Sequence, residues 1–296
     1  MQLFCPAKVN LALSVGKVQP NGLHPIASWM VAVEFGDAMM LAKAPDHKSH
    51  FSIRFATESL NPRQVDWPLE RDLCFRAHDL LEQNLGHRLA VTVTLDKSIP
   101  TGSGLGGGSS NAAGMLVGLN RLFELDLDQD ALLHLAARLG SDVPFAIAAL
   151  NGQTSMIATG LGQKLEPVEL SRPIHLVLVL APFSCATRDV YKTFDHLSTT
   201  ATTVDEPRVR RLANVPLMTP EGLFNDLLEP AWRVQPQLMR SMDLLRQQMN
   251  RPIYLTGSGS TMFLVVPTAN LAQAVAEKVR ATTCLPAMVT RTLAGG

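Results

Sequence analysis

The segment from Pro100 to Asn111 constrains this chain more than any other, because it places five glycines within seven residues. An alternating run from Ala90 to Leu95 precedes it and predicts a half-buried strand. Apolar residues at helical spacing, from Ala112 to Phe123, follow it. In a strand, glycine loop and helix of this kind, backbone N–H groups and the positive end of the helix dipole can face an anion. We predict a phosphate-binding loop, with Ser109 or Ser110 capping the helix or reaching a phosphate-bound cation.

Two known phosphate-binding motifs, the dinucleotide-binding fingerprint and the Walker A loop, share part of this pattern. The stretch Gly102–Gly107 contains Gly-x-Gly-x-x-Gly, but a dinucleotide fold needs an acidic residue that ends a second strand about 20 residues later. That distance falls near Glu124, in what reads as a polar link between two helices. A Walker A loop ends in Gly-Lys-Ser/Thr, and no lysine follows Gly108. A nicotinamide-dependent oxidoreductase therefore remains a remote alternative.

Length and charge limit the classes of protein that fit. A chain of 296 residues predicts two domains, which we place at 1–170 and 171–296. A formal net charge of zero argues against nucleic acid or an anionic membrane as a partner. The four cysteines are scattered without a Cys-x-x-Cys pair, and we see neither a signal peptide nor an apolar run of about 20 residues. We expect a cytoplasmic protein.

Two isolated charges stand in apolar surroundings. Lys8 lies in Pro6–Asn10, where an ammonium group is costly unless it has a partner. Asp142 follows Gly140 and precedes an apolar stretch. Lys8 could simply reach water from a strand edge, and Asp142 could simply cap a helix or form an Asx turn. Together they could aim an ionised carboxylate at a hydroxyl group, but their distance along the chain leaves that pairing open.

Several further elements follow from local patterns. We predict helices over Leu73–Leu85, Leu227–Met249 and Thr268–Thr283, and a polar surface loop over Ser198–Arg211. A second, smaller glycine loop, Thr256–Ser260, separates two strands. It can be a tight hairpin, or a second anion site for an acceptor that already carries phosphate.

Taken together, three of these stretches resemble the motifs of the GHMP kinase superfamily in their order: Pro6–Asn10, Pro100–Asn111 and Thr256–Ser260. Within the superfamily, the chain is similar to a branch of non-mevalonate isoprenoid synthesis whose acceptor carries a cytidine diphosphate. Four stretches support this branch: Pro6–Asn10, Asn21–His24, Leu139–Pro144 and Phe224–Leu227. The Gly-Glu-His sequence of mevalonate kinases is absent.

The resemblance implies an α+β fold of two domains, with a ribosomal S5 domain 2-like N-terminal domain, a ferredoxin-like C-terminal domain and the active site between them. It implies an ATP-dependent kinase that uses Mg²⁺ and phosphorylates a hydroxyl of a small molecule with a cytidine diphosphate moiety. A monomer or weak homodimer is expected. The alternatives are a kinase of homoserine or a phosphomevalonate, and a catalytically silent nucleotide-binding homologue.

The resemblance also assigns site residues, although it identifies no metal ligand. The implied catalytic residues are Lys8 and Asp142. The residues implied to bind ATP are Asp72, Leu73, Lys97, Pro100, Gly102, Gly104, Leu105, Gly106, Gly107, Gly108, Ser109, Ser110 and Asn111, the first three near the adenine. The residues implied to bind the acceptor are Asn10, His24, Thr187, Tyr191, Gly257, Ser258, Gly259 and Ser260, with His24 and Tyr191 at the cytosine.

Three positions depart from the family's pattern. Leu23 stands before the histidine where a tyrosine is usual, so one aromatic wall of the cytosine pocket is replaced. Asp72 stands where asparagine is common, and Gln163 stands where glutamate is frequent. We expect these changes to affect the two nucleobase pockets more than the chemistry.

Overall fold

Two β-sheets organise this chain in a computed structural model that describes residues 1–56, 65–197, 203–215 and 221–295. The strands are β1 Gln2–Val15, β2 Ile26–Lys43, β3 His50–Phe55, β4 Val91–Lys97, β5 Ser155–Gly160, β6 Lys164–Pro167, β7 His175–Val179, β8 Phe224–Asn225, β9 Tyr254–Leu255, β10 Met262–Val266 and β11 Ala287–Arg291. The helices are α1 Leu73–Leu85, α2 Gly107–Phe123, α3 Gln129–Leu139, α4 Val143–Leu150, α5 Thr187–Leu197, α6 Glu206–Ala213, α7 Leu228–Val234, α8 Pro236–Met249 and α9 Ala269–Thr283.

The first sheet has seven strands in the order β3-β4-β2-β1-β8, with β5 paired to β2 and β6 paired to β5. Helix α2 packs across β1 and β2, and α1 and α4 pack against α2. Alternate residues of β4, such as Val91 and Val93, point into the core beneath these helices, as the period of two in the sequence predicts. The helical layer thus covers one face of the sheet, and the start of α2 lies next to Lys8 of β1.

The second sheet has four strands in the order β11-β7-β10-β9. Its central strand β7 is a continuous apolar run because both faces are covered. Val177 and Val179 pack in one core with residues of α8 and α9. Leu176 and Leu178 pack in another core with Trp29 of the first sheet. The two sheets are therefore joined by a shared hydrophobic layer.

The expected division at residue 170 lies in the connection between β6 and β7. Later parts of the chain nevertheless return to the first sheet. Strand β8 runs parallel to β1, with Ala12 opposite Phe224, and α6 packs against β1 and β2. The segment beyond residue 170 thus contributes to both sheets, and the cleft described below lies where they meet.

Three local predictions are corrected by the structure. The stretch read as a surface loop contains helix α6, whose buried Val209 and Ala213 were hidden among charged residues; residues 198–202 of that stretch lie outside the described part. The single helix expected from Leu227 to Met249 breaks at Gln235, because Pro236 disfavours a helical residue before it. Ser109 and Ser110 do not cap α2, which starts at Gly107.

Other predicted elements are confirmed. Helix α1 spans Leu73–Leu85 as predicted, and Asp72 caps it by accepting a hydrogen bond from the N–H of Cys74. Helix α9 is capped by Thr268, whose hydroxyl accepts from the N–H of Leu271. Within the described residues, no helix combines the length and the apolar character that crossing a bilayer requires.

Candidate active site

A cleft of about 570 Å³ runs between the two sheets and is lined by both glycine loops. It contains the side chains of Lys8 and Asp142, which come from opposite ends of the first 150 residues. Thr187 and Tyr191 of helix α5 also line it. The residues that line the cleft and that the sequence also selected are Lys8, Asn10, Asp72, Leu73, Lys97, Pro100, Gly102, Gly104, Gly106, Gly107, Gly108, Ser109, Asp142, Thr187, Tyr191, Gly257 and Ser258.

Lys8 is held in place by an irregular strand. The pairing of β1 with β2 shifts register between Pro6 and Lys8 and again between Asn10 and Ala12, and such bulges re-aim side chains. The Lys8 backbone N–H donates to the carbonyl of Leu105 at 2.9 Å, which ties β1 to the glycine loop. Its ammonium group donates to Oδ1 of Asn10 at 2.6 Å and lies 3.4 Å from Oδ2 of Asp142. The buried cation thus has the partners that its burial demands.

Asp142 occupies the residue before helix α4, but its side chain makes no capping hydrogen bond. The carboxylate instead turns toward Lys8 and keeps 30% of its surface exposed to the cleft. Burial, and secondly the charge of Asp142, raise the pKa of the Tyr191 hydroxyl. Lys8 and Asp142 therefore converge beside the glycine loop, as a Lys–Asp couple requires.

The first glycine loop wraps around Lys8. Gly102, Gly104 and Gly106 all have φ between 66° and 78°, a region that side chains disfavour. A Cβ on Gly106 would lie 2.9 Å from Cγ of Lys8, so a larger residue would displace the ammonium group. The first turn of α2 follows at once and presents its unpaired N–H groups to the cleft. This arrangement can hold a phosphate group.

Three residues implied to bind ATP lie beneath the loop rather than in the cleft. Leu105 is buried in a hydrophobic core. The Ser110 hydroxyl is buried and finds no hydrogen-bond partner among the described residues. The Asn111 side chain accepts a hydrogen bond from Lys97 and donates one to Asp37. Lys97 lines the cleft, but its ammonium group is held by Asn111 and Asp37, so it belongs to the framework under the loop.

Sequence reasoning missed Trp67, which lines the cleft next to Asp72 and Leu73. Its indole N–H donates to Oδ2 of Asp72 at 2.9 Å, while Oδ1 of Asp72 accepts from the N–H of Cys74. An asparagine at 72 could satisfy both donors only through one oxygen, so Asp72 and Trp67 form a matched pair. The sequence feature that could have indicated this residue is a large aromatic side chain in the polar segment just before the N-cap of α1.

The second glycine loop touches the first one directly. The Thr256 hydroxyl accepts from the backbone N–H of Asn10 at 3.0 Å and donates to the carbonyl of Gly104 at 3.3 Å. A Cβ on Gly104 would collide with the carbonyl of Thr256. Asn225 of the short strand β8 donates to the carbonyls of Leu255 and Gly257 and so fixes the second loop from behind.

Only part of the second loop reaches the cleft. Gly257 and Ser258 line it, and the Ser258 hydroxyl lies 2.9 Å from that of Thr187. Gly259 packs against Leu255 and Cys185, and the Ser260 hydroxyl donates to the carbonyl of Phe183. The structure thus places these last two residues behind the loop surface.

His24 lies in a neighbouring cavity of about 710 Å³ that shares Thr187 and Tyr191 with the cleft. Its Nδ1 donates to the carbonyl of Gly16 at 2.9 Å, and Nε2 lies 3.6 Å from Asp195. The imidazole stacks obliquely on Tyr191, with centroids 4.9 Å apart. Leu23 is 52% exposed beside it, so the position usually held by tyrosine presents a free aliphatic surface.

Gln163 lies at the rim of the same cavity. Its side-chain oxygen accepts from the N–H of Leu161 at 2.6 Å. The amide therefore stabilises its own turn, as a glutamate there also could.

The chemistry of the donors fits a magnesium ion carried by a nucleotide. Among the residues that the structure describes, no three His, Cys, Asp or Glu side chains are grouped for a metal. Magnesium commonly takes only one or two protein carboxylates and obtains its other oxygens from phosphate and water. Ser109, in the first turn of α2, lines the cleft and can supply such an oxygen, and the Asp142 carboxylate lies in the same cleft.

Comparison with known proteins agrees with this geometry. A profile of the GHMP kinases N terminal domain matches residues 72–149, which include the glycine loop and Asp142. A homoserine kinase from Cytophaga hutchinsonii shares the fold, with a TM-score of 0.70 at 14% identity over 100% of this chain and 95% of that one. The fold and the cleft define a small-molecule kinase of the GHMP class.

More similar proteins narrow the assignment. A Bacillus pumilus protein called 4-diphosphocytidyl-2-C-methyl-D-erythritol kinase is 30% identical over 93% of this chain and 91% of its own length. A Chromobacterium violaceum protein of the same name is 34% identical over 88% of this chain and 84% of its own. A crystal structure of 4-(cytidine 5'-diphospho)-2C-methyl-D-erythritol kinase matches all of both chains, with a TM-score of 0.74 and 29% identity. The chain belongs to the 4-diphosphocytidyl-2-C-methyl-D-erythritol kinase family.

Proposed function

We propose that this protein transfers the γ-phosphoryl group of ATP to the 2-hydroxyl of 4-diphosphocytidyl-2-C-methyl-D-erythritol. The observation that carries the proposal is the 3.4 Å approach of Lys8 and Asp142 in a cleft between two glycine loops. Phosphoryl transfer depends on positioning and on charge stabilisation, and this site offers both. Family membership and the relatives' names support the choice of acceptor.

Asp142 is proposed to accept the proton of the attacking hydroxyl. Its side chain is free of capping bonds and exposed to the cleft, so an acceptor hydroxyl can approach it. Lys8 orients this carboxylate and places a positive charge where negative charge develops on the transferring group. Asn10 acts through Lys8, since its amide oxygen accepts the 2.6 Å hydrogen bond from the ammonium group.

The first glycine loop and the start of α2 are proposed to hold the phosphates of ATP through backbone N–H groups. The adenine would occupy the end of the cleft lined by Leu73 and Trp67, where the indole can stack on the base. Ser109 would contribute an oxygen ligand to Mg²⁺. When bound, the metal ion neutralises charge on the phosphate oxygens.

The acceptor is proposed to span the two cavities. The cytosine would lie between Tyr191, His24 and Leu23, and the diphosphate would face Gly257 and Ser258 of the second loop. Gly259 and Ser260 shape that loop from behind. We further propose that the enzyme is cytoplasmic, because all four cysteines are free thiols, as a reducing compartment maintains. We also propose two domains, at 1–170 and 171–296.

A substrate panel tests the function. The purified enzyme with ATP and Mg²⁺ is offered the full cytidine-linked acceptor, the same acceptor lacking the cytidine moiety, homoserine and phosphomevalonate. Formation of ADP and of a 2-phosphorylated product only with the first compound is expected. Turnover of homoserine or phosphomevalonate instead would assign another GHMP-type activity, and nucleotide binding without turnover would make the chain a silent homologue.

A further inference from the structure

Asp37 of strand β2 is a completely buried carboxylate that the proposed chemistry does not use. Its Oδ1 accepts the backbone N–H groups of Ser98 and Ile99 at 2.7 and 2.8 Å. Its Oδ2 accepts the ammonium group of Lys97 at 3.2 Å and the side-chain amide of Asn111 at 2.9 Å. Both oxygens therefore carry two hydrogen bonds each, which accounts for the cost of burying the charge.

These four donors lie on the two sides of the first glycine loop. Lys97, Ser98 and Ile99 lead into Pro100, where the loop begins. Asn111 lies in the helix that follows it. Lys97 also donates to Oδ1 of Asn111 at 2.5 Å, which links the entry and the exit of the loop a second time. One carboxylate thus joins both ends of the segment that faces the phosphates.

The hydrogen bonds around Asp37 are shielded from solvent and from other charges. Cys5 is fully buried beside it, and desolvation followed by the charge of Asp37 raises the pKa of its thiol to about 12. The thiol therefore stays neutral and adds no competing charge at physiological pH. Lys97 is the ion-pair partner of Asp37, with their side chains 5% and 0% exposed.

We propose that Asp37 is a positioning residue for nucleotide binding, which acts through Ser98, Ile99 and Asn111 and touches no substrate. A loop rich in glycine has many accessible conformations, so binding a nucleotide to an untethered loop costs more ordering entropy. Fixing both ends before the ligand arrives removes part of that cost. The proposal deepens the ATP-binding role proposed above and rests on it.

The test compares nucleotide and acceptor binding in Asp37→Ala and Asp37→Asn. We expect Asp37→Ala to raise the dissociation constant for ATP, measured by calorimetry without acceptor, by about 10-fold to 100-fold. The KM of the acceptor should change by less than about twofold, because the second loop is held by Asn225 instead. If Asp37 had only a structural role, its loss would weaken the binding of ATP and of the acceptor to a similar extent. Equal weakening of both, or an unchanged ATP constant in folded protein, would overturn the proposal.

Glu82→Gln is the matched control. Glu82 of helix α1 is another buried carboxylate; it accepts the N–H of Leu89 at 2.6 Å and does not line the cleft. This variant should lose stability while binding ATP like the parent, and an equal loss of ATP affinity would count against a special role for Asp37. If circular dichroism shows Asp37→Ala to be unfolded, Asp37→Asn decides by the same criterion, with a rise of at least about fivefold expected. Failure of the parent protein to bind ATP would instead refute the proposed function.

Discussion

Two Lys–Asp pairs lie close to the first glycine loop, and they differ mainly in exposure. Lys8 and Asp142 are 3.4 Å apart, and the carboxylate is 30% exposed. Lys97 and Asp37 are 3.2 Å apart, and neither side chain exceeds 5% exposure. The open pair can meet a substrate, whereas the closed pair can act on a ligand only through the protein groups that it holds. The two pairs contain the same chemical groups at similar distances, and their different exposure to solvent gives them different roles.

Hydrogen bonds show the same difference. Each oxygen of Asp37 accepts two donors from the protein, so its capacity is filled. The side chain of Asp142 leaves the N–H groups of its own helix unused. A carboxylate with remaining capacity can accept a proton or a hydrogen bond from a ligand. Breaking each pair should therefore damage a different property of the enzyme.

The largest effect is expected from Asp142→Asn. Loss of the general base should lower kcat by about 10²-fold to 10⁴-fold while the dissociation constant for ATP changes little. Steady-state kinetics and calorimetry measure the two quantities. Asp96→Asn is the control, because Asp96 is similarly exposed at 36% but pairs with Arg54 elsewhere on the surface. An Asp142→Asn enzyme with parental kcat would remove this residue from catalysis.

Replacing each lysine by methionine compares the pairs directly. Lys97→Met leaves Asp37 buried without its counter-charge and should lower the free energy of unfolding by about 3–5 kcal/mol. Lys8→Met should cost clearly less stability, because water can solvate the partly exposed Asp142, yet it should abolish most turnover. Urea denaturation followed by circular dichroism measures the difference. Equal destabilisation by the two changes would contradict the distinction between open and closed pairs.

A smaller effect is expected at Trp67, on the open side of the loop. Trp67→Leu removes the aromatic wall and should weaken ATP binding by about 1–3 kcal/mol, the usual contribution of stacking on one base. In the parent, ATP should also quench part of the tryptophan fluorescence. Trp232→Phe, a change in helix α7 away from the cleft, serves as the control. Quenching that persists unchanged in Trp67→Leu would place the adenine elsewhere.

The smallest effect concerns thiol reactivity around the closed pair. Burial raises the pKa of Cys5 to about 12 and that of Cys185 to about 11, so both thiols stay protonated at pH 8. Cys74 is shifted upward by the same cause, while Cys284 is exposed. A thiol reagent at pH 8 should therefore modify Cys284 rapidly and the other three slowly. In Lys97→Met we expect faster labelling of Cys5, because loss of the hydrogen bonds from Lys97 to Asp37 and Asn111 should loosen the packing around this thiol. A labelling rate equal to that of the parent would show that the packing around Cys5 is unchanged.

Local patterns predicted much of the fold because they report short-range physics. The apolar spacing of α1 predicted that helix with its observed bounds, and the glycine loop lies between the strand and helix that flank it in sequence. Helix α6 was missed because charged residues dominate its short sequence. The break before Pro236 was overlooked, although the proline itself was a sufficient signal.

The site was predictable only in part because its contacts are distant in sequence. Lys8 and Asp142 were selected by their character and by resemblance, but their approach depends on the fold. Asp37 lies 60 residues from Lys97 and 74 from Asn111, so no local pattern reveals it. Asn10 and Thr256 are 246 residues apart and yet share a hydrogen bond. Such pairings arise only when the sheets have assembled.

The contact between Gly104 and Thr256 limits how this enzyme can be redesigned. The space between the two loops excludes even a methyl group at 104, and the Thr256 hydroxyl already bonds across the gap. A side chain added at position 104 will therefore disturb the second loop. Chimaeras built to exchange acceptor preference among GHMP kinases should transplant both loops from the same parent, because each has been shaped to fit only its own counterpart.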